Sequence, residues 1–130
     1  MAFYADTSAI AKLLHQEAES AALLSWIAAS HQEIYSSDLL RVELMRVAGK
    51  LGLEALSQAR ILLRTISTIA ITSEILDSAG ILSPPSLRSL DALHIATALA
   101  LGLELEGIIT YDDRMAQAAA NLGIAVIRPA

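Results

Sequence analysis

Residues 1–10 read Met-Ala-Phe-Tyr-Ala-Asp-Thr-Ser-Ala-Ile, and they decide how the rest of the chain is interpreted. An apolar run with two aromatic side chains ends at Asp6, and a helical pattern begins after Thr7 and Ser8. This order predicts a buried strand whose carboxyl end holds one carboxylate. In open parallel α/β folds, ligands bind at that edge of the sheet. We therefore expect other functional acids at the ends of other strands, or on helices beside this edge.

The composition limits the class of protein. Of 130 residues, 55% are hydrophobic, and mean hydropathy is +0.53. We expect residues 1–130 to form one domain whose surplus apolar surface is covered by association, most simply in a homodimer. No apolar run reaches the roughly 18 residues of a membrane span, and no secretory signal is visible. We expect no membrane contact and a cytoplasmic location, which the lack of cysteine also fits. The net charge of −5 argues against broad electrostatic binding of nucleic acid.

Strand and helix patterns alternate along the whole chain. After the first strand, further strands are predicted at 33–36, 66–72, 107–110 and 124–127. Helices are predicted at 9–14, 18–29, from caps at 36–38 to about 48, 53–63, 73–79, 87–101 and 112–121. Gly49 and Gly52 are expected to bracket a break between the two middle helices. Strands that alternate with helices predict an α/β fold with a mainly parallel sheet covered on both faces.

Two acids follow predicted strands. Asp6 ends the first strand, and Asp112 follows a later strand and precedes the last helix. Each could be a helix N-cap instead. Thr7 and Ser8 can cap the first helix equally well, and Asp113 could compete with its neighbour for the last helix. Capping therefore does not require an acid at position 6, whereas for Asp112 taken alone it is a strong alternative.

Two further acids lie on helices, beside apolar stripes. Glu43 flanks a stripe of leucine and valine, and its alternative interpretation is an exposed ion pair with Arg46. Asp91 lies one turn from His94 on a helix that is apolar on nearly every side, which predicts a buried helix. The alternative for Asp91 is a structural pair with Arg88, and His94 alone is more simply a hydrogen-bonded core residue. Because an unpaired buried carboxylate is costly, Glu43 needs a partner unless it is solvated.

Together the four acids are expected to converge on one cleft. Several carboxylates that close together cannot all stay ionised without cations between them. Clustered carboxylate oxygens suit hard ions such as Mg²⁺ or Mn²⁺. Such ions act chiefly on phosphates, where they activate water and stabilise the leaving oxygen. The pattern therefore predicts metal-dependent phosphate chemistry.

At these positions the sequence resembles the PIN-domain ribonucleases, and most closely the VapC-type toxins of bacterial toxin–antitoxin pairs. The segments that carry the resemblance are Tyr4-Ala5-Asp6-Thr7-Ser8-Ala9, Ser37 through Glu43, Leu90-Asp91-Ala92-Leu93-His94-Ile95-Ala96, and Ile109-Thr110-Tyr111-Asp112 followed by Gly123-Ile124-Ala125-Val126. The resemblance implies a three-layer α/β/α domain and Mg²⁺-dependent (or Mn²⁺-dependent) cleavage of RNA. It also implies an antitoxin protein as the partner.

The same resemblance implies roles for individual residues. Asp6 and Asp91 would bind the metal directly, and Glu43 and Asp112 would complete the catalytic, metal-binding pocket. All four acids are therefore expected to belong to the catalytic site.

The resemblance also implies supporting residues, with one departure from the family pattern. Ser8 and Thr110 would orient carboxylates or metal-bound water. Asp113 stands where relatives often have a basic residue, which leaves the fourth acid and the grip on the RNA backbone open. Candidates for contact with RNA are the basic residues near the motifs, although each could equally be a solvated surface charge: Lys12, Arg41, Arg46, Arg88 and Arg114.

Other classes with an acid after the first strand fit less well. A haloacid dehalogenase phosphatase has a second Asp two residues later, where this chain has Ser8. A response-regulator receiver needs a Lys after a late strand, and the only lysines are Lys12 and Lys50. Two alternatives stay open: a PIN-domain nuclease of RNA processing outside toxin–antitoxin systems, and a catalytically inert PIN-fold binding module.

Overall fold

The structure is a computed structural model that describes all residues from Met1 to Ala130. The strands are β1 (Ala2–Ala5), β2 (Glu33–Ser37), β3 (Ser67–Ile69), β4 (Leu105–Ile109) and β5 (Val126–Ile127). The helices are α1 (Thr7–Ala11), α2 (Ser20–Ser30), α3 (Leu39–Leu51), α4 (Leu53–Thr65), α5 (Ser73–Gly80), α6 (Ser89–Leu99) and α7 (Asp113–Asn121). A short 3-10 turn at Gly102–Glu104 precedes β4.

The five strands form one sheet in the order β3-β2-β1-β4-β5, and every neighbouring pair is parallel. β1 lies at the centre, so the opening stretch of the sequence is the middle of the sheet. Side chains alternate between the faces with period two. Ala5 and Ile109 face one core, while Tyr4 and Ile108 face the other. The predicted α/β fold with a parallel central sheet is confirmed.

Helices cover both faces of this sheet. One core lies between the sheet and α1 to α4, where Leu40 and Leu44 of α3 are fully buried. The other lies under α6 and α7 and includes Ile95 and Met115. Parallel strands need such cover because their crossover helices return across the sheet faces. The arrangement is the three-layer α/β/α architecture.

Two expectations about the helices are corrected by the structure. α3 continues through Gly49, and the break lies only at Gly52, whose φ of 117° is unfavourable for other residues. α6 is not buried all round, because Leu90 and Leu99 are 47% and 41% exposed. Its buried stripe is Ala92 and residues 94–98. None of the helices has the length and hydropathy that a membrane crossing requires.

Candidate active site

The candidate site lies at the junction of β1 and β4, at the carboxyl ends of these two strands. The backbone N–H of Asp6 donates to the carbonyl of Ile109 at 3.2 Å, so the residues that follow the two strands are side by side. From β1 the chain moves to one side of the sheet to form β2, whereas β4 lies on the other side. A crevice opens where the strand order reverses in this way, and it is the usual ligand site of open α/β sheets.

Asp6 is held at this edge by three hydrogen bonds. Its Oδ1 accepts from the Ser8 hydroxyl at 2.6 Å and from the N–H of Ala9 at 3.1 Å, and its Oδ2 accepts from the Thr110 hydroxyl at 2.6 Å. Asp6 therefore caps α1 and presents a fixed carboxylate at the sheet edge. Burial raises the pKa of Asp6, and the bonds from Ser8 and Thr110 only partly oppose that rise. Ser8 and Thr110 are placed to orient the carboxylate.

Glu43 reaches the same edge from α3. Its Oε1 accepts from the Thr7 hydroxyl at 2.6 Å and lies 2.7 Å from Nε2 of His94. Burial works to raise the pKa of Glu43, but the hydrogen bonds from His94 and Thr7 outweigh it, and the pKa is lowered. Glu43 makes no ion pair with Arg46, so the surface-pair alternative is wrong.

His94 connects this carboxylate to the core of the protein. Nδ1 lies 2.7 Å from the fully buried Tyr4 hydroxyl, and Nε2 faces Glu43. Because a carboxylate can only accept, Nε2 of the imidazole donates to Glu43, and in the neutral ring Nδ1 then accepts from the Tyr4 hydroxyl. The expectation of a hydrogen-bonded core histidine is confirmed. The chain Tyr4–His94–Glu43 fixes the direction of the carboxylate.

Asp91 is the acid without a protein partner. It lies in the first turn of α6, partly exposed, with neither a hydrogen bond nor an ion pair to its carboxylate. The proposed pair with Arg88 does not form, although the Arg88 charge acts on Asp91 from farther away. Burial raises the pKa of Asp91, and the nearby charge of Asp112 raises it further. A carboxylate in this state is one that a cation would stabilise.

The structure separates the two adjacent acids after β4. Asp112 caps α7, since its Oδ1 accepts from the N–H of Met115 at 3.0 Å, and its charge acts on Asp91. The side chain of Asp113 is 91% exposed and forms a 2.6 Å ion pair with Arg128. Of the two, Asp112 is the acid that belongs to the edge.

The donor set can be compared with the needs of a metal ion. No three Asp, Glu or His side chains lie close enough to ligate one ion together, so a cage of four protein carboxylates is not formed. Mg²⁺ does not require such a cage, because it is usually held by one or two carboxylates, with water and substrate phosphate completing its shell. Oxygen donors and the raised pKa values of Asp6 and Asp91 therefore fit a hard cation.

The basic residues expected near the site differ in availability. Lys12 is engaged, because it pairs with Glu17 and Glu19 at 3.3 and 2.9 Å. Arg88 and Arg114 are exposed, form no ion pair, and line a cavity of about 550 Å³ beside the acidic edge.

Sequence reasoning did not identify Thr7 and Tyr4 as members of the site. The sequence allows Thr7 to be the cap of α1, yet its hydroxyl donates to Glu43, and Asp6 caps the helix. Tyr4 is a buried aromatic residue whose hydroxyl needs a partner. The pairing could have been suspected from two residues of the sequence: Tyr4 in a predicted buried strand and His94 in a predicted buried helix, since both need a hydrogen-bond partner.

Comparison with known proteins agrees with this geometry. The PIN domain matches residues 3–121. The chain is 44% identical over 128 residues to Ribonuclease VapC46 of Mycobacterium tuberculosis, covering 98% of both chains. It is 36% identical over 130 residues to Ribonuclease VapC47 of the same species, covering 97% of this chain and 96% of the relative.

Solved structures share the fold. The crystal structure of Mycobacterium tuberculosis VapC20, described as a toxin that cleaves the sarcin–ricin loop, has a TM-score of 0.77 at 16% identity, covering 98% of this chain and 99% of that one. A toxin–antitoxin complex from Klebsiella pneumoniae has a TM-score of 0.71 at 23% identity, covering 100% and 98%. The chain therefore belongs to the PIN-domain family and, within it, to the VapC ribonucleases.

Proposed function

We propose that this protein is a metal-dependent endoribonuclease and the toxin of a type II toxin–antitoxin pair. The observation that carries the proposal is the partnerless carboxylate of Asp91 at the sheet edge, on which the charges of Asp112 and Asp6 act. Relatives at 44% and 36% identity are named as ribonucleases, and their lengths match this chain throughout. The metal is Mg²⁺ or Mn²⁺, since the donors are carboxylate oxygens.

The four acids at this edge have different proposed roles. Asp6 and Asp91 would be the direct ligands of the metal ion, and Asp112 would add negative charge beside them. Glu43 is charged at neutral pH and is held in one orientation by Thr7 and His94. A divalent ion bound here supplies activation of water and stabilisation of the leaving oxygen in phosphodiester hydrolysis.

Three further proposals concern the partners. The structural neighbours include toxin–antitoxin complexes, among them the one from Klebsiella pneumoniae. We propose that the present chain also binds an antitoxin protein. The substrate is RNA, and the free protein is a homodimer. The antitoxin would block the acidic edge, most simply with an arginine paired to its carboxylates.

An inert PIN-fold binding module is the less favoured function. A pocket that had lost catalysis would have no reason to keep Asp91 without a partner, because replacing it would remove electrostatic repulsion. A nuclease of RNA processing would share the same chemistry. Genes for a toxin are expected beside a short gene for a DNA-binding antitoxin, and that arrangement distinguishes the two.

Cleavage of a mixed single-stranded RNA substrate by highly purified protein tests the enzymatic part. We expect EDTA to abolish cleavage and Mg²⁺ or Mn²⁺ to restore it, with Ca²⁺ restoring it poorly because Ca²⁺ is larger and looser in geometry. Full cleavage in the presence of EDTA would contradict the proposal.

A further inference from the structure

A cavity lies beside the acidic edge, between the start of α6 and α7. It has a volume of about 550 Å³, within the roughly 300–1,000 Å³ of ordinary ligand pockets. One wall is the loop at 84–88 that leads into α6, and the other is α7. The helices that begin at this cavity are the same two that carry Asp91 and follow Asp112. A ligand in the cavity would therefore be next to the reacting phosphate.

Two arginines frame this cavity. Arg88 precedes α6 and acts on the carboxylate of Asp91, and Arg114 lies in the first turn of α7. Neither forms an ion pair or a side-chain hydrogen bond, and both are exposed. The rim acid, Asp113, is already paired with Arg128. In a chain of net charge −5, two uncommitted guanidinium groups beside the acidic edge are suited to anionic groups such as phosphates.

The interior of the cavity is suited to a nucleobase. Leu87 and Ala118 supply a small apolar floor. Gln117 and Asn121 are hydrogen bonded to one another at 3.1 Å across one turn of α7, which leaves one carbonyl acceptor and amide donors of the pair for a ligand. No aromatic side chain lines the cavity, so the face of a base would pack on the apolar floor of Leu87 and Ala118.

We propose that this cavity is a nucleotide subsite that sets the sequence preference of cleavage. It receives one unstacked nucleotide of single-stranded RNA next to the scissile phosphate. Arg88 and Arg114 bind the flanking phosphates, and Gln117 and Asn121 contact the edge of the base. This proposal rests on the proposed ribonuclease function and adds the residues that select the substrate.

Sequencing the 5′ ends produced from a randomised single-stranded RNA library tests the base contacts. For Gln117→Ala combined with Asn121→Ala, we expect the base preference at one position flanking the cut to fall about tenfold, a loss typical of one good base-edge contact. Gln58→Ala, an exposed glutamine on α4, is the matched control and should leave the preference as in the wild type.

Salt-dependent kinetics on one fixed substrate test the arginines. Arg88→Gln combined with Arg114→Gln should weaken RNA binding for all sequences, and the slope of log KM against log salt should fall by about one for each charge removed. Arg60→Gln, an exposed arginine of α4 without an ion pair, should leave KM unchanged. Both cavity variants replace exposed side chains, so melting temperatures near the wild-type value are expected and are measured alongside.

The outcomes separate this proposal from the function on which it rests. If wild-type protein cleaves the library and Gln117→Ala with Asn121→Ala keeps the wild-type preference, the subsite is wrong and the ribonuclease function stands. An unchanged salt slope for the double arginine variant would also overturn the subsite. If wild-type protein cleaves no RNA with Mg²⁺ or Mn²⁺, the ribonuclease function fails and the subsite fails with it.

Discussion

Asp91 links the electrostatics of the site to the stability of the protein. Burial and the charge of Asp112 raise the pKa of Asp91 in the folded protein. The folded protein therefore favours protonated Asp91, which stabilises it at low pH. This stabilisation is lost as the pH rises through the folded-state pKa. Asp91→Asn should therefore melt at or slightly above the wild-type temperature at pH 7 without metal, by a few degrees at most because the side chain is partly solvated. The difference should shrink as pH falls through the raised pKa.

Thermal melts with and without Mg²⁺ provide the measurement. Bound metal should raise the wild-type melting temperature, and the same concentration should have little effect on Asp91→Asn. A melting temperature well below that of the wild type would mean that Asp91 has a structural partner after all, because breaking a buried pair is strongly destabilising.

The hydroxyl of Tyr4 can be tested against a surface tyrosine. Tyr4→Phe leaves Nδ1 of the buried His94 without a donor, which should cost about 1–3 kcal/mol of unfolding free energy. Tyr35→Phe removes a hydroxyl that bonds Glu33 at the surface, and about 0.5 kcal/mol or less is expected. Urea denaturation of both variants gives the comparison. Equal losses would contradict the chain that fixes Glu43.

At the scale of single elements, replacing two glycines by alanine should have opposite effects on stability, because one lies in a helix interior and the other in a close contact between strands. A Cβ at Gly49 would meet nothing within 4 Å, so Gly49→Ala should stabilise α3 by about 0.5–1 kcal/mol. A Cβ at Gly107 would lie 3.0 Å from the carbonyl oxygen of Ala125, so Gly107→Ala should cost about 1–3 kcal/mol as β5 shifts. Denaturant midpoints check both signs, and a destabilising Gly49→Ala would argue for a helix break there.

Substitutions at the start of α7 can distinguish a role in helix capping from a role in catalysis. Asparagine caps a helix as well as aspartate does, so Asp112→Asn should keep the melting temperature while lowering cleavage by about 10- to 100-fold. Asp113→Asn loses only a surface ion pair and should have a much smaller effect on cleavage. Initial rates at saturating Mg²⁺ decide between them. If Asp113→Asn proved the more damaging change, the assignment of the fourth acid would be reversed.

The elements also show what the sequence could and could not predict. Alternating patterns and caps located all five strands and seven helices, because those signals are local. The break at Gly49 was wrong, since a glycine inside a helix costs only about 1 kcal/mol and packing of α3 overrides it. The contacts of Glu43 with Thr7 and His94 could not be predicted, because they depend on how α3 and α6 cross the end of β1. The ion pair between Asp113 and Arg128 likewise depends on where the last strand ends.

At the scale of the whole molecule, the exposed apolar side chains predict that two copies of the chain associate. Trp26 of α2 packs edge-on against Phe3 with ring centroids 4.7 Å apart. The α4 surface remains open, with Leu53 and Ile61 being 85% and 51% exposed. Light scattering at micromolar concentration should give twice the mass of a single chain, and Leu53→Glu with Ile61→Glu should reduce it toward one chain. Leu103→Glu, at an exposed site on the 3-10 turn, is the control. A strictly monomeric wild type would contradict this prediction.

Catalysis at the acidic edge is tested by the single-turnover rate of RNA cleavage by Asp91→Asn at saturating Mg²⁺. Asp77→Asn, an exposed acid on α5, serves as the matched control with the same change of charge. We expect Asp91→Asn to cleave about 100-fold more slowly or worse while remaining folded, and Asp77→Asn to cleave at the wild-type rate. A folded Asp91→Asn protein that cleaves within a few-fold of the wild-type rate would contradict the placement of catalysis at the acidic edge of the sheet.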